Sequence, residues 1–178
     1  MKRFCYIIWI GLAAALASAC DRTPTIELET DKTAAVKENM INANRVVIQS
    51  EATQIDAYIQ RRGWKTTPLR CGARYLLLEK GKGASIQAED TVVVTYRLEA
   101  LDGTPIYRHQ TDTLVVGHRE VTPALDELLE ELTYGSKCWM IASSNSAYGV
   151  VGDGDRVASR TVIVYNIQEI NQKKNNNK

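Results

Sequence analysis

The sequence predicts an α+β fold, with an antiparallel β-sheet wrapped on one short helix and preceded by an N-terminal helical segment. Apolar and polar residues alternate over 91–100, the pattern of a half-buried strand. Leucines recur at helical spacing over 125–132, directly after Thr122 and Pro123. Residues 32–62 contain neither proline nor glycine and are rich in helix-forming residue types. Strands that flank one helix and are joined by hairpin turns favour an antiparallel sheet with that helix on one face.

The first segment of the chain has the three-part pattern of a secretory signal peptide, which we assign to residues 1–19. Lys2 and Arg3 precede an apolar run over 4–16, and small residues lead up to Cys20. A cysteine at this point resembles a lipobox, whose cysteine becomes lipidated, and the alternative is an ordinary signal peptide with an incidental cysteine. The apolar run is shorter than the ~20 residues of a membrane-spanning helix. We therefore expect lipidation at Cys20, a linker over 20–31, and a protein anchored in the cell envelope, on the periplasmic face or the cell surface.

Residues 32–63 form the predicted helical segment. Its apolar residues recur at helical spacing: Val36, Met40, Ala43, Val47, Ala52, Ile55, Tyr58 and Ile59. Ser50 is a candidate N-cap for a second helix, and Gly63 is a stop signal. The pattern indicates one bent helix or two consecutive helices. Three roles remain open: packing on the same domain, a homodimerisation arm, or an arm that binds client proteins.

Strand patterns dominate from residue 72 onward. Residues 74–79 form a short predicted strand, and 91–100 form a longer one that places Val92, Val94, Tyr96 and Leu98 on one face. Asp102 and Gly103 are a strong hairpin signal. The return strand begins at Pro105, and residues 113–116 form a further predicted strand.

The clearest helix begins after Thr122, a candidate N-cap, with Pro123 at the first helical position and Gly135 as its stop. A strand over 137–143 and a glycine-rich loop over 147–159 follow. The last predicted strand spans 161–170 and directs Ile163, Tyr165 and Ile167 to one face. The tail, 172–178, is polar and is predicted to be disordered.

Short motifs along residues 72–171 follow one another in a recognisable order. They are Val93-Val94-Thr95-Tyr96, Leu101-Asp102-Gly103-Thr104, Glu120-Val121, Ala147-Tyr148-Gly149 followed by Gly152, and Thr161-Val162-Ile163-Val164-Tyr165. In this order they resemble the FKBP-type peptidyl-prolyl cis-trans isomerases. The helical segment that precedes them resembles the layout of exported bacterial members, in some of which such a segment dimerises and helps to bind clients.

The resemblance implies an isomerase that needs no cofactor and no metal, because an apolar pocket favours the twisted Xaa-Pro amide. It implies that Tyr148 and Tyr96 are the catalytic residues, with the Tyr148 hydroxyl and the Thr122 backbone N–H bonding the substrate. The implied substrate-binding residues are Ile106, Tyr107, Leu114, Val121, Thr122, Leu125, Val157 and Tyr165. The alternatives are that Tyr96 and Tyr165 are ordinary core aromatics and that Tyr148 packs only within its loop.

Several of these positions depart from the family pattern. Leu125 occupies the position of the usual pocket-floor tryptophan, and Ile106 and Asp112 occupy two aromatic wall positions. Tyr107 stands where an acidic residue is usual, so that one polar contact is lost or replaced. Val157-Ala158 replaces an Ile-Pro pair. These changes affect turnover more than the fold.

Composition and the remaining motifs exclude other classes of function. With 22 Lys and Arg against 21 Asp and Glu, the chain has no basic surplus for nucleic acid. Asp112, Asp153 and Asp155 are a possible carboxylate cluster, but Gly-Asp-Gly-Asp more often forms a solvated turn. Cys71 and Cys138 lack metal-site spacing, and we expect Cys138 to be a free buried thiol.

Three hypotheses follow for the function. The first is an isomerase that acts on proline-containing exported polypeptides. The second is an FKBP-like chaperone or binding module with little or no turnover. It predicts a pocket filled by Tyr107 or Ile106, or clients held by the N-terminal helix. The third is a structural lipoprotein of a larger envelope complex.

Overall fold

The computed structural model describes the backbone of residues 27–173 and the side chains of residues 33–173. The predicted signal peptide, the lipidation site Cys20, most of the predicted linker and residues 174–178 lie outside the described residues. The chain divides into two compact units between Ala43 and Asn44. The first long helix therefore begins in one unit and ends in the other.

Helix α1, Glu27–Arg62, is continuous over 36 residues. The predicted linker is therefore wrong over 27–31, and the predicted N-cap at Ser50 is wrong as well. No proline or glycine interrupts this stretch, and interior hydroxyls need not break a helix: Thr53 donates to the backbone carbonyl of Gln49 at 2.9 Å. Gly63, at φ +62°, follows the last helical residue, as predicted.

The second unit is built on a six-stranded antiparallel sheet. Its strands are β1 Thr67–Pro68, β2 Arg74–Glu79, β3 Thr91–Ala100, β4 Pro105–Val115, β5 Lys137–Ala142 and β6 Ile163–Gln172, in the spatial order β1-β2-β5-β6-β3-β4. The short edge strand β1 was not predicted.

Strand boundaries differ from the predictions at two places. The two strands predicted between Pro105 and 116 are one strand, β4, because β3 pairs with its polar middle as well as its ends. The predicted tail begins too early at 172, because Gln172 still pairs with Val92.

One face of the sheet packs on helix α2, Pro123–Glu130. The predicted inward residues of β3 are all buried, and so are the four predicted leucines of the helix stripe: Leu125, Leu128, Leu129 and Leu132. The helix ends before Gly135, where the sequence placed its end. The backbone of 132–134 instead bonds to 83–86, with Ile86 donating to Leu132.

The opposite face of the sheet is covered by the end of α1. Ile55 and Tyr58 pack there against Ile141, Val162 and Val164. This contact, within the second unit, confirms that this part of the helical segment packs on its own domain. It also explains why the chain is apolar on both faces where β6 begins, with Val162 and Val164 on the outer side.

The two described cysteines both carry free thiols. Cys138, on β5, is fully buried in the core, which confirms the prediction for it. Burial raises the pKa of its thiol to about 12, so that it stays protonated.

Among the described residues, no helix has the combination of length and hydropathy needed to cross a bilayer.

Candidate active site

A cavity of about 490 Å³ opens where the N-terminus of α2 meets strands β3, β4 and β6. The loop over 147–160, hereafter the Tyr148 loop, borders its other side. The lining residues are Tyr96, Asp112, Glu120, Val121, Thr122, Pro123, Leu125, Ala147, Tyr148, Gly149, Gly152 and Tyr165.

The base of the cavity is buried and largely apolar. Leu125 of α2, Tyr96 of β3 and Tyr165 of β6 are each at most 3% exposed. The two tyrosine rings lie 5.3 Å apart between centroids, tilted by 59°. Strand alternation brings them together, because β3 and β6 are neighbours and both side chains point to the core face.

Each of these tyrosine hydroxyls has a fixed partner. Tyr96 donates to the Asp112 carboxylate at 2.6 Å, and the hydroxyls of Tyr165 and Thr122 lie 2.9 Å apart. Burial raises the pKa of Tyr165, and burial together with the Asp112 bond raises the pKa of Tyr96. Both hydroxyls therefore stay neutral and can act as hydrogen-bond donors.

Thr122 precedes α2 at the predicted N-cap position, but its hydroxyl does not cap the helix. The hydroxyl lies against Tyr165 instead. The backbone N–H of Thr122 donates no hydrogen bond to any described residue and lies at the positive end of the helix. This N–H group is therefore suited to donate a hydrogen bond to a carbonyl oxygen of a ligand.

The Tyr148 loop brings its tyrosine to the cavity through tight local turns. Gly149 donates to the carbonyl of Ser144 at 2.7 Å, and Gly152 donates to that of Tyr148 at 3.1 Å. Tyr148 is half-buried. Burial raises the pKa of its hydroxyl, while the adjacent hydroxyls of Tyr165 and Tyr96 act in the opposite direction. The net effect keeps this hydroxyl protonated.

A second tyrosine ties the Tyr148 loop to β4. The hydroxyl of Tyr107 donates to Asp153 at 2.5 Å, and the guanidinium of Arg156 lies 5.4 Å from the centre of the Tyr107 ring. The other carboxylate oxygen of Asp153 accepts the backbone N–H groups of Asp155, Arg156 and Val157. Burial opposes ionisation of Asp153, but the bonds from Tyr107 and the backbone outweigh it and lower its pKa.

The structure brings six of the predicted site residues to the cavity: Tyr96, Val121, Thr122, Leu125, Tyr148 and Tyr165. Leu114 and Val157 are buried in the core, and Ile106 and Tyr107 pack partly buried against it. None of these four is among the lining residues.

Sequence reasoning named Asp112 only as a departure from the family and as part of a possible cation cluster. In the structure it lines the cavity and accepts the Tyr96 hydroxyl, while Asp153 accepts that of Tyr107. The signal for its position was available, because Asp112 stands two residues before the buried Leu114 and so shares its strand face. Among the described residues, no group of acidic, histidine or cysteine side chains is arranged to hold a metal ion.

Comparison with known proteins finds similarity over the part of the chain that contains the cavity. Residues 82–169 match the family model of the FKBP-type peptidyl-prolyl cis-trans isomerases. No sequence among curated proteins is significantly similar to the chain.

Solved structures show the same fold. A peptidyl-prolyl cis-trans isomerase from Pseudomonas syringae pv. tomato aligns with a TM-score of 0.60 and 23% identity, over 72% of this chain and 96% of that one. The structure of AtFKBP13 aligns with a TM-score of 0.53 and 15% identity, over 61% of this chain and 99% of that one. Residues 82–169 are therefore similar to the FKBP-type peptidyl-prolyl cis-trans isomerases, and the chain shares the fold of these solved structures.

Proposed function

We propose that the protein is a peptidyl-prolyl cis-trans isomerase that assists the folding of exported proteins. The observation that carries this proposal is the open cavity in which Tyr148, the Thr122 N–H and an apolar base converge. It has room for a prolyl ring beside groups that can bond its carbonyl.

The proposed mechanism is non-covalent. Rotation about a peptide bond is slow because the twisted amide loses resonance, a barrier of about 18–20 kcal/mol. The twisted amide is less dipolar than either planar form, so an apolar base of Leu125 and aromatic rings favours it over both. The Tyr148 hydroxyl and the Thr122 N–H hold the carbonyl while the bond turns.

The altered family positions are compatible with turnover. Tyr107 and Ile106, which would fill the pocket of an inactive binding module, lie outside the cavity lining. The Tyr107 hydroxyl is bound to Asp153, which holds it to the Tyr148 loop. Tyr107 stands where the family usually has an acidic residue. In this chain Asp112 supplies a carboxylate at the cavity, where it accepts the Tyr96 hydroxyl.

We propose a location in the cell envelope, with lipid on Cys20 as the anchor. The support is the sequence pattern of a basic start, an apolar run and small residues before the cysteine. Labelling of cells with a radioactive fatty acid tests this. The label should appear on the protein and be lost in Cys20→Ser.

A second candidate role concerns α1. Within the first unit, Val36, Met40 and Ile41 are at least half exposed. Val46 and Ile48, in the second unit, are also exposed. Apolar side chains at this level of exposure favour a helix that binds another chain, either a second copy or an unfolded client. This role can accompany isomerisation and does not replace it.

The test of the isomerase proposal is cis–trans exchange in a short Xaa-Pro peptide, followed by NMR exchange spectroscopy with the whole chain. Exchange should accelerate, and Tyr148→Phe should reduce the acceleration about five-fold, since a neutral hydrogen bond contributes about 1 kcal/mol. Tyr75→Phe, which changes a tyrosine outside the cavity, is the matched control.

Absence of acceleration with a folded protein and varied residues before proline would contradict the isomerase proposal. Acceleration that is unchanged in Tyr148→Phe would remove the hydroxyl from the mechanism. The apolar base of the cavity would then be the main cause of catalysis.

A further inference from the structure

The charged residues that line the cavity are both acidic. Asp112 and Glu120 are among the lining residues, and no lysine, arginine or histidine is. The Glu120 carboxylate is exposed and accepts the backbone N–H of Val115 at 2.9 Å. Asp112 lies deeper, half-buried on β4 directly opposite the buried Val94 of β3.

The charge of Asp112 is not neutralised by any described residue. Its carboxylate accepts hydrogen bonds from two neutral groups, the Tyr96 hydroxyl at 2.6 Å and the Gln110 amide at 3.3 Å. No described cation forms an ion pair with it. Arg156, on the Tyr148 loop, pairs with Asp155 and stacks on Tyr107 outside the cavity lining.

A carboxylate in this position affects which ligands enter. Partial burial removes water from the anion, and neutral donors compensate only part of that loss. A cationic group that enters the cavity regains the Coulomb attraction in surroundings that screen it less than water. The carboxylate of an acidic ligand there would be repelled, and an apolar side chain would desolvate the anion further without supplying a cationic partner.

We propose that Asp112 makes this site selective for prolyl bonds preceded by a lysine or arginine. The inference rests on the proposed function, because it names the substrate class of the same cavity. Asp112 and Tyr148 both line that cavity, so a ligand whose carbonyl is bound by Tyr148 has the Asp112 carboxylate in the same cavity. Tyr96 orients that carboxylate by donating to one oxygen.

The experiment uses three peptides that differ only before proline, with lysine, leucine or glutamate at that position. Affinity and accelerated exchange are measured together by NMR with the whole chain. Affinity and accelerated exchange should each be about ten-fold higher for the lysine peptide than for the glutamate peptide, the difference that one charge-assisted hydrogen bond makes. The leucine peptide should lie between them, and added salt should narrow the difference.

Asp112→Asn tests the assignment, since asparagine keeps a carbonyl acceptor for Tyr96 and removes the charge. The ratio between the lysine and glutamate peptides should fall toward unity. Glu169→Gln, an exposed carboxylate of β6 outside the cavity, is the matched control and should keep the ratio.

The two proposals fail in different ways. Equal affinities of the three peptides for the wild-type protein, or a preference that persists in Asp112→Asn, would overturn the role of Asp112. Selective binding without acceleration of any peptide would leave that role standing and contradict the isomerase proposal.

Discussion

Tyr107 shows at the scale of a single residue how a departure from a family pattern can be functional. Its position led to the prediction that it contacts substrate, yet its hydroxyl bonds Asp153 of the Tyr148 loop. Asp153 in turn accepts three backbone N–H groups of that loop. Tyr107 is therefore better described as a positioning residue that holds the loop through Asp153.

Tyr107→Phe should loosen the Tyr148 loop without unfolding the protein. We expect faster amide hydrogen exchange at Asp155 and Val157 and a turnover that is several-fold lower. A buried hydrogen bond to a charged group contributes about 1.5 kcal/mol or more, and this bond contributes less because solvent screens it. Exchange by NMR and turnover of one Leu-Pro peptide are the two measurements.

Tyr134→Phe provides the matched control, because the Tyr134 hydroxyl also donates to a carboxylate, that of Asp90, away from the cavity. It should leave both loop exchange and turnover unchanged. If the two variants behaved alike, Tyr107 would have no specific role in the loop.

At the scale of elements, the Tyr148 loop depends on a close approach between two of its own backbone segments. Gly152 has φ +79°, and a Cβ atom there would lie 2.1 Å from the carbonyl oxygen of Val157. Gly154 also has φ +79°, but a Cβ atom there would meet nothing within 4 Å. Alanine at Gly154 would therefore introduce backbone strain alone, whereas alanine at Gly152 would introduce the same strain and a steric clash.

Gly154→Ala should therefore lower the free energy of unfolding by about 1 kcal/mol, the strain of a left-handed non-glycine residue. Gly152→Ala should cost at least about 1 kcal/mol more and reduce turnover strongly, because a backbone oxygen cannot move aside like a flexible side chain. Urea unfolding and the peptide assay measure both effects. Equal losses in the two variants would contradict the close approach.

Within the second unit, the end of helix α1 is held to the rest of that unit by a buried carboxylate. Glu51 is 5% exposed and accepts the backbone N–H and the hydroxyl of Ser144, at 2.9 and 2.6 Å. Ser144 lies in the short 3₁₀ helix Ser144–Ser146, and its carbonyl accepts the N–H of Gly149 in the Tyr148 loop. The helix and the proposed active site are therefore linked through one residue.

Glu51→Ala leaves two buried donors of Ser144 without a partner, and we expect the free energy of unfolding to fall by about 2 kcal/mol. Glu38→Ala, at an exposed position of the same helix, should change it by less than about 0.5 kcal/mol. Urea denaturation at neutral pH distinguishes them. A loss in Glu51→Ala no larger than that in Glu38→Ala would show that this contact does not stabilise α1.

The success of prediction differed between elements for physical reasons. Strand β3 and the leucines of α2 were predictable because each buries one face, which leaves a clear period in the sequence. Strand β4 was predicted as two pieces because it is an edge strand whose middle residues are polar. Those residues are held in the strand by pairing with β3, which leaves no apolar pattern in the sequence. Packing of the helical segment on its own domain was one of three open roles, and the sequence did not show that it covers the outer face of the sheet. Val162 and Val164, which alternate with Ile163 and Tyr165, indicated that both faces are buried where β6 begins.

The family resemblance and strand alternation together predicted part of the candidate site. Both place Tyr96 and Tyr165 on the core face, where they line the cavity. Neither could show that the Tyr107 hydroxyl turns to Asp153, because that bond joins residues far apart in sequence and depends on the path of the Tyr148 loop.

At the scale of the whole molecule, two of the carboxylates that join distant segments, Asp153 and Glu127, have lowered pKa values. Asp153 binds β4 to the Tyr148 loop, and Glu127 of α2 accepts the backbone N–H groups of Arg70 and Cys71 in the connection before β2. Burial opposes ionisation of Glu127, but these backbone bonds outweigh it and lower its pKa. Both folded-state pKa values therefore lie below the ordinary values of 3.8 for Asp and 4.5 for Glu.

A lowered pKa in the folded state makes stability depend on pH in one direction. Above the unfolded-state values both carboxylates are ionised and their contribution is complete; as the pH falls through the lower folded values, protonation removes it. The free energy of unfolding should therefore be nearly constant from about pH 7 to about pH 5 and decline below about pH 4. Urea midpoints across this range measure it.

The variant Asp153→Asn with Glu127→Gln should be less stable than the wild type at pH 7. It should also lose less stability between about pH 5 and about pH 3, the window in which free carboxylates titrate. Glu169→Gln removes an exposed carboxylate of β6 and should follow the wild-type curve. If the double variant declined as steeply as the wild type, other carboxylates would cause the acid loss. The two long-range links would then stabilise the fold as hydrogen-bond acceptors whether or not they carry charge.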